Sequence, residues 1–179
     1  GGGDALAAML SALNNRGGEG SPREANKVDV PDKEAVKSKY KQCIFVSARV
    51  HPGETPASFM LEGLVDFFTS KDEAAQVLLN KYVLHVVPVL NPDGVVLGNH
   101  RTDASGVNLN RVYSTAKLEG YPTVSAAAEA CCIAHAHQGG LRLYLDLHAH
   151  STRRGAFLLS DQPRARRVLG IERSFAHCL

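Results

Sequence analysis

Apolar positions along the chain follow two repeats, and their order predicts an architecture. Cys43-Ile-Phe-Val-Ser-Ala-Arg-Val50 is a short apolar run with β-branched residues, the mark of a buried strand. Thr55-Pro56 then reads as a helix N-cap followed by proline at the first helical position. Phe59, Met60, Leu64, Phe67 and Phe68 recur at helical spacing as far as Lys71, and Glu73 to Leu79 continues as a second helix. A second strand is predicted over Tyr82 to Leu90, closed by the turn chemistry of Asn91-Pro92-Asp93-Gly94. Leu97 to Gly120 is polar with little periodicity. Val124 to Gln138 reads as a helix, Leu141 to Leu147 as a strand, and Ala156 to Leu159 as a further short strand.

Alternating strands and helices predict an α/β domain with a mostly parallel sheet. Such sheets bind ligands beyond the carboxyl ends of their strands. Polar candidates stand at three such ends: after Val50, after Leu90 and at Leu147. The first 40 residues differ. Ala5 to Leu13 can form a short helix, whereas Asn14 to Pro31, rich in Gly, Asn, Glu and Pro, reads as a surface loop or disordered connection.

Composition narrows the function classes. With 179 residues the chain suffices for one domain, and its formal net charge of +2 argues against a nucleic-acid partner. No apolar run approaches the roughly 20 residues that span a bilayer, so no membrane partner is expected. Cys43, Cys131, Cys132 and Cys178 lack both Cys-x-x-Cys pairing and disulfide-framework spacing. Without a signal peptide they fit a reducing, cytoplasmic compartment, with Cys131 and Cys132 as small buried residues of an Ala-rich helix. The opening Gly-Gly-Gly-Asp4 lacks an initiator Met, so a fragment of a longer protein is expected.

His51-Pro52-Gly53-Glu54 follows the first strand directly, and a tight Pro-Gly turn lets the imidazole and the carboxylate converge on one ion. His148, at the end of Leu143-Tyr144-Leu145-Asp146-Leu147, supplies a third donor from another strand end. Catalytic zinc sites use three such protein donors and keep a fourth position open. The alternative makes His51 a turn residue, Glu54 a solvated carboxylate and His148 a core histidine. His150 shares a strand face with His148, which leaves His148-Ala-His150 as an alternative metal pair, although a place beside the site fits better. His135 and His137, near a helix end, read as surface residues. Arg101, Asn110 and Arg111 bring planar, bidentate donors suited to carboxylates, with exposed loop arginines as the plainer reading.

As a set, His51-Pro-Gly-Glu54-Thr-Pro-Ala-Ser58, Asn91-Pro-Asp-Gly94, Arg101, Asn108-Leu-Asn-Arg111 and Leu145-Asp-Leu-His-Ala-His-Ser151 resemble the cytosolic carboxypeptidases. These are a branch of the funnelin-type zinc carboxypeptidases that removes glutamates from tubulin tails. The resemblance runs over about residues 43–160, and Arg101 to Arg111 looks most like the type-5 members, which remove the branch-point glutamate. It implies a partial funnelin-like domain over residues 41–161, with a mixed, mostly parallel sheet and helices on both faces. It also implies one zinc held by His51, Glu54 and His148. His₂Glu is already known as the carboxypeptidase A ligand set, so this agreement is not independent.

By the same resemblance, Asn110 and Arg111 hold the substrate's terminal carboxylate, and Arg101 polarises the scissile carbonyl. Asp93 and Gly94 belong to a structural turn. The implied partners are glutamylated protein tails such as tubulin's. Two departures stand out. No residue in Thr152–Leu179, Glu172 included, matches the general-base glutamate of the family, and residues 162–179 read as a divergent tail. The chain alone is therefore expected to be inactive. The N-terminal β-sandwich domain typical of the relatives is not expected either, apart from whatever residues 1–40 represent. The competing functions are a non-catalytic zinc- and carboxylate-binding module, an amidohydrolase-like barrel built on His148-x-His150, and a purely structural domain.

Overall fold

A computed structural model of the protein describes residues 40–113, 120–137 and 139–159. The helix expected over Ala5–Leu13, the N-terminal loop and the divergent tail lie outside the described residues. Strand β1 covers Gln42–Ala48. It ends two residues short of the apolar run because Arg49 takes φ +58, a left-handed backbone that turns the chain.

Helix α1 spans Pro56–Thr69, with proline in its first turn, but Thr55 does not cap it by its side chain. Thr55 is itself helical (φ −56, ψ −31), so the helical turn has already begun in the 51–54 loop. The face of α1 also differs from the sequence reading. Ala57 and Leu61 are buried, whereas Phe59 and Met60 are 71% and 45% exposed. Positions 57, 61 and 64 form the stripe that meets the sheet, and alanine lets the helix approach it closely.

Asp72 caps α2 (Glu73–Lys81) by accepting from the Ala74 amide. Strand β2 follows at once, Tyr82–Val87, and stops before Pro88, which has no N–H for a ladder. Asn91-Pro92-Asp93-Gly94 proves to be a helix start rather than a turn. The Asn91 side chain accepts from Gly94 N and caps a short helix α3, Pro92–Val96. A single 3₁₀ turn, Leu109–Arg111, is capped by Asn108. Helix α4 is Pro122–His137 and strand β3 is Leu141–Leu147. The strand expected over Ala156–Leu159 does not form: the segment is exposed and pairs with no described strand.

The three strands make a parallel sheet of order β2-β1-β3. Helices cover both faces, as the resemblance implies. Cys43 and Phe45 of β1 pack under Val124, Ala127, Ala128, Cys131 and Ala134 of α4. Val46 and Ala48 pack under Ala57 and Leu61 of α1. Cys131 is fully buried, as read, while Cys132 is only partly so. The order makes β1 the strand about which the chain reverses its progress across the sheet. Open α/β sheets place ligands at the carboxyl end of such a strand.

Candidate metal centre

Beyond β1 the chain is held from three sides. The Arg49 guanidinium donates twice to Pro52 O (3.0 and 2.6 Å) and once to Ser58 Oγ at 2.8 Å, tying the loop to α1. Leu90 N and Asn91 N donate to the carbonyls of Ala48 and Arg49, and Asn91 Nδ2 donates to Val50 O. Gly53 N donates to His100 O at 2.9 Å, so the segment bearing Arg101 lies directly on the loop. A Cβ on Gly53 would stand 2.8 Å from that carbonyl oxygen, so this approach requires glycine.

His51, Glu54 and His148 come together there, each offering a ligand atom, with all three atoms within 4.8 Å of one another. His51 Nδ1 is 2.9 Å from Glu54 Oε1, and His148 Nδ1 is 3.0 Å from Glu54 Oε2. The outer nitrogens have their own partners. His51 Nε2 meets Asn108 Oδ1 at 3.2 Å, and His148 Nε2 meets Asp146 Oδ2 at 2.7 Å. Asn108 Oδ1 also accepts from the Asn110 amide, so it is an acceptor and His51 Nε2 carries the proton. The Nδ1 lone pair of His51 is thereby directed at Glu54. That atom is buried and finds no hydrogen bond, because a nitrogen lone pair and an ionised carboxylate are both acceptors. A buried, unpaired imidazole nitrogen beside a carboxylate is what a missing cation would leave, and the N, O, N donor set suits zinc.

Electrostatics separates the two histidines. Burial, reinforced by Arg101 and His148, holds His51 below the ordinary histidine range despite Glu54, which keeps it neutral and able to ligate. Burial opposes ionisation of Glu54, yet the Ala149 amide, His51 and His148 outweigh it and lower its pKa. Burial likewise opposes charge on His148, but Asp146 and Glu54 prevail and raise its pKa.

The other sequence candidates take different places. Arg101 Nη1 lies 3.4 Å from Glu54 Oε1 with its side chain 45% exposed, open to an incoming group. Asn110 and Arg111 sit on the 3₁₀ turn, tied to the cluster through Asn108. Arg111 is exposed and donates to Asn110 O. His150 Nδ1 accepts from the Thr152 and Arg153 amides and belongs to its own loop rather than to the ligand cluster. His135 is exposed on α4.

Sequence reading missed Asn108, Asp146 and Ser47. Asp146 had a signal, because two residues before His148 on a strand it must share that histidine's face. Asn108 stood inside the Asn108-Leu-Asn-Arg111 motif, where no role was assigned to it. Ser47, in an apolar run, carried no signal.

Sheet and cluster together define an α/β domain with a three-donor group that could hold a metal ion at the carboxyl end of its central strand. This chain belongs to the zinc carboxypeptidase family, whose sequence profile matches residues 19–153. It is 41% identical over 122 residues to cytosolic carboxypeptidase 6 of Caenorhabditis elegans, covering 68% of this chain and 27% of that protein. It is 46% identical over 98 residues to cytosolic carboxypeptidase-like protein 5 of Danio rerio, covering 54% of this chain and 11% of the other. Among solved structures, a metallo-carboxypeptidase from Burkholderia cenocepacia superposes with TM-score 0.54 and 35% identity, over 62% of this chain and 29% of that one. The chain thus spans only a minor part of each of these relatives.

Proposed function

We propose that this chain supplies the zinc-binding half of a carboxypeptidase site that removes C-terminal or branch-point glutamates from acidic protein tails, such as those of tubulin, in the cytoplasm. The observation that carries the metal assignment is the convergence of His51, Glu54 and His148 around a buried nitrogen without a hydrogen bond. The substrate class rests on the likeness to cytosolic carboxypeptidases, and no described helix is long and apolar enough to cross a membrane.

His51, Glu54 and His148 would hold one zinc, which when bound supplies Lewis acidity for a carbonyl and makes water nucleophilic near neutral pH. Arg101, free on its outer side, would donate to the carbonyl oxygen as negative charge develops there. Asn110 and Arg111 would grip the free terminal carboxylate and so restrict the site to chain ends. Glu54 and Asp146 are both occupied by the histidines, and among the described residues neither is free to take a proton from water. The 179-residue chain should therefore turn over glutamylated peptides far more slowly than a complete enzyme. The same occupancy favours a second reading, a zinc- and carboxylate-binding module without catalysis.

Zinc content together with hydrolysis of paired peptides, one with a free and one with an amidated C-terminus, tests both readings. In a complete enzyme Arg111→Ala should lower kcat/KM for the free peptide by ~10-fold to 100-fold, the worth of a charge-assisted contact. Arg101→Ala should act mainly on kcat, because its partner charge exists only in the transition state. Amidation should harm the wild type strongly and the Arg111 variant little. Equal harm to both would remove Arg111 from carboxylate recognition. No turnover by the complete enzyme, with zinc and peptide both bound, would favour the binding module.

A further inference from the structure

We propose that Ser47 is a positioning residue for the metal centre: through Asp146 it holds His148 with Nδ1 facing the ion. This rests on the zinc reading above. Ser47 is the second-last residue of β1, fully buried and flanked in the strand by the apolar Val46 and Ala48. A hydroxyl at such a place is costly unless it is hydrogen-bonded. Parallel register sets Ser47 directly beside Asp146 of β3, and its hydroxyl donates to Asp146 Oδ1 at 2.8 Å. Tyr144 OH approaches Ser47 Oγ at 3.1 Å, its ring stacked on Phe45 with centroids 5.6 Å apart.

Counting donors fixes the direction of the chain. An ionised carboxylate only accepts, so the single Ser47 proton goes to Asp146, and Tyr144 must then donate to Ser47. Asp146 Oδ2 accepts from His148 Nε2 at 2.7 Å, which leaves Nδ1 facing Glu54, where it would be available to zinc. Without Ser47, Asp146 Oδ1 would lose its partner from β1, the carboxylate could rotate, and the imidazole plane would no longer be set. Outer partners of ligating histidines typically contribute 10-fold to 100-fold in metal affinity.

The test is zinc affinity of the 179-residue chain by chelator competition, with the absorption spectrum of the cobalt-substituted protein and the melting temperature of the metal-free protein. Ser47→Ala should weaken zinc by ~10-fold or more and alter the cobalt spectrum. Ser47→Thr, which keeps the hydroxyl, should restore both. Ser47→Cys keeps the volume but offers a poor donor, so it should follow alanine, and it serves if the alanine variant does not fold. In an Asp146→Ala background, Ser47→Ala should cost less than ~2-fold further, because its route to His148 is already cut. Wild-type affinity in Ser47→Ala or in Ser47→Cys would overturn the proposal. So would an undiminished loss in the Asp146→Ala background, which would mark Ser47 as a packing residue. A wild-type chain that binds no zinc would instead overturn the metal reading itself, and this proposal with it.

Discussion

The two seams of the sheet share strand β1 and the same parallel pairing, yet they differ in content. Along β1–β2, Val46 faces Val86 and Ser47 faces Val87, and β2 ends in a proline-bearing segment. The Leu90 and Asn91 amides beyond it close back on the carbonyls of Ala48 and Arg49 at the end of β1. Along β1–β3, Ser47 faces Asp146 and Phe45 faces Tyr144, and β3 runs straight into His148. The first seam contributes backbone support to the ligand loop, whereas the second contributes side chains. One strand end thus becomes a reactive edge only where its neighbour carries polar residues on the matching face.

The largest effect should come from emptying the polar seam. Zinc at ~1,000 times its dissociation constant should stabilise the chain by ~4 kcal/mol in thermal unfolding, and His148→Ala should abolish that gain. Persistence of the gain would remove β3 from the metal centre. Phe45 belongs to both seams, lying between His85 and Tyr144, and it is 1% exposed. Phe45→Ala should cost about 3–5 kcal/mol in denaturant unfolding, with zinc affinity retained in the folded fraction. A loss of affinity out of proportion would show that packing, not polar register, builds the site.

Under α4, burial pushes the Cys131 thiol up from 9.0 to about 12. Its folded form keeps a proton that the unfolded chain releases, so stability is full below pH 9 and falls above it. The slope should be about 1.4 kcal/mol per pH unit up to about 12. Alkaline melts of Cys131→Ala should lack this component. The smallest effect belongs to the apolar seam's exit, where Asn91→Ala should cost ~2 kcal/mol through the lost α3 cap and the lost hydrogen bond to Val50 O. It should leave zinc binding intact, and a large loss there would erase the contrast between the seams.

Much of this was legible in the sequence. Three strands, the main helices and the His51, Glu54, His148 set follow from periodicity and from donors at strand ends. The misreadings have physical causes. Ala57 marks the buried face of α1 by being small, while the large apolar Phe59 and Met60 lie on the exposed side. The Asn91 side-chain bond is equally able to close a turn or open a helix. The end of β1 depends on Arg49's left-handed backbone, which no local pattern requires. Ala156–Leu159 has strand composition, but pairing is a tertiary property. Ser47 was invisible because its partner lies 99 positions away, across a register that only the fold sets.

Gly53 bears no charge and no side chain, yet the His100 carbonyl oxygen stands 2.8 Å from where its Cβ would be. The spacing between the ligand loop and the segment carrying Arg101 is therefore set by an absent methyl group. In a saturation library, position 53 should look permissive to a screen for expression, because displacing an exposed loop costs little stability. A selection for turnover in the complete enzyme should return glycine alone. Such a gap between two screens would separate residues that shape a reactive centre from those that merely keep a chain folded.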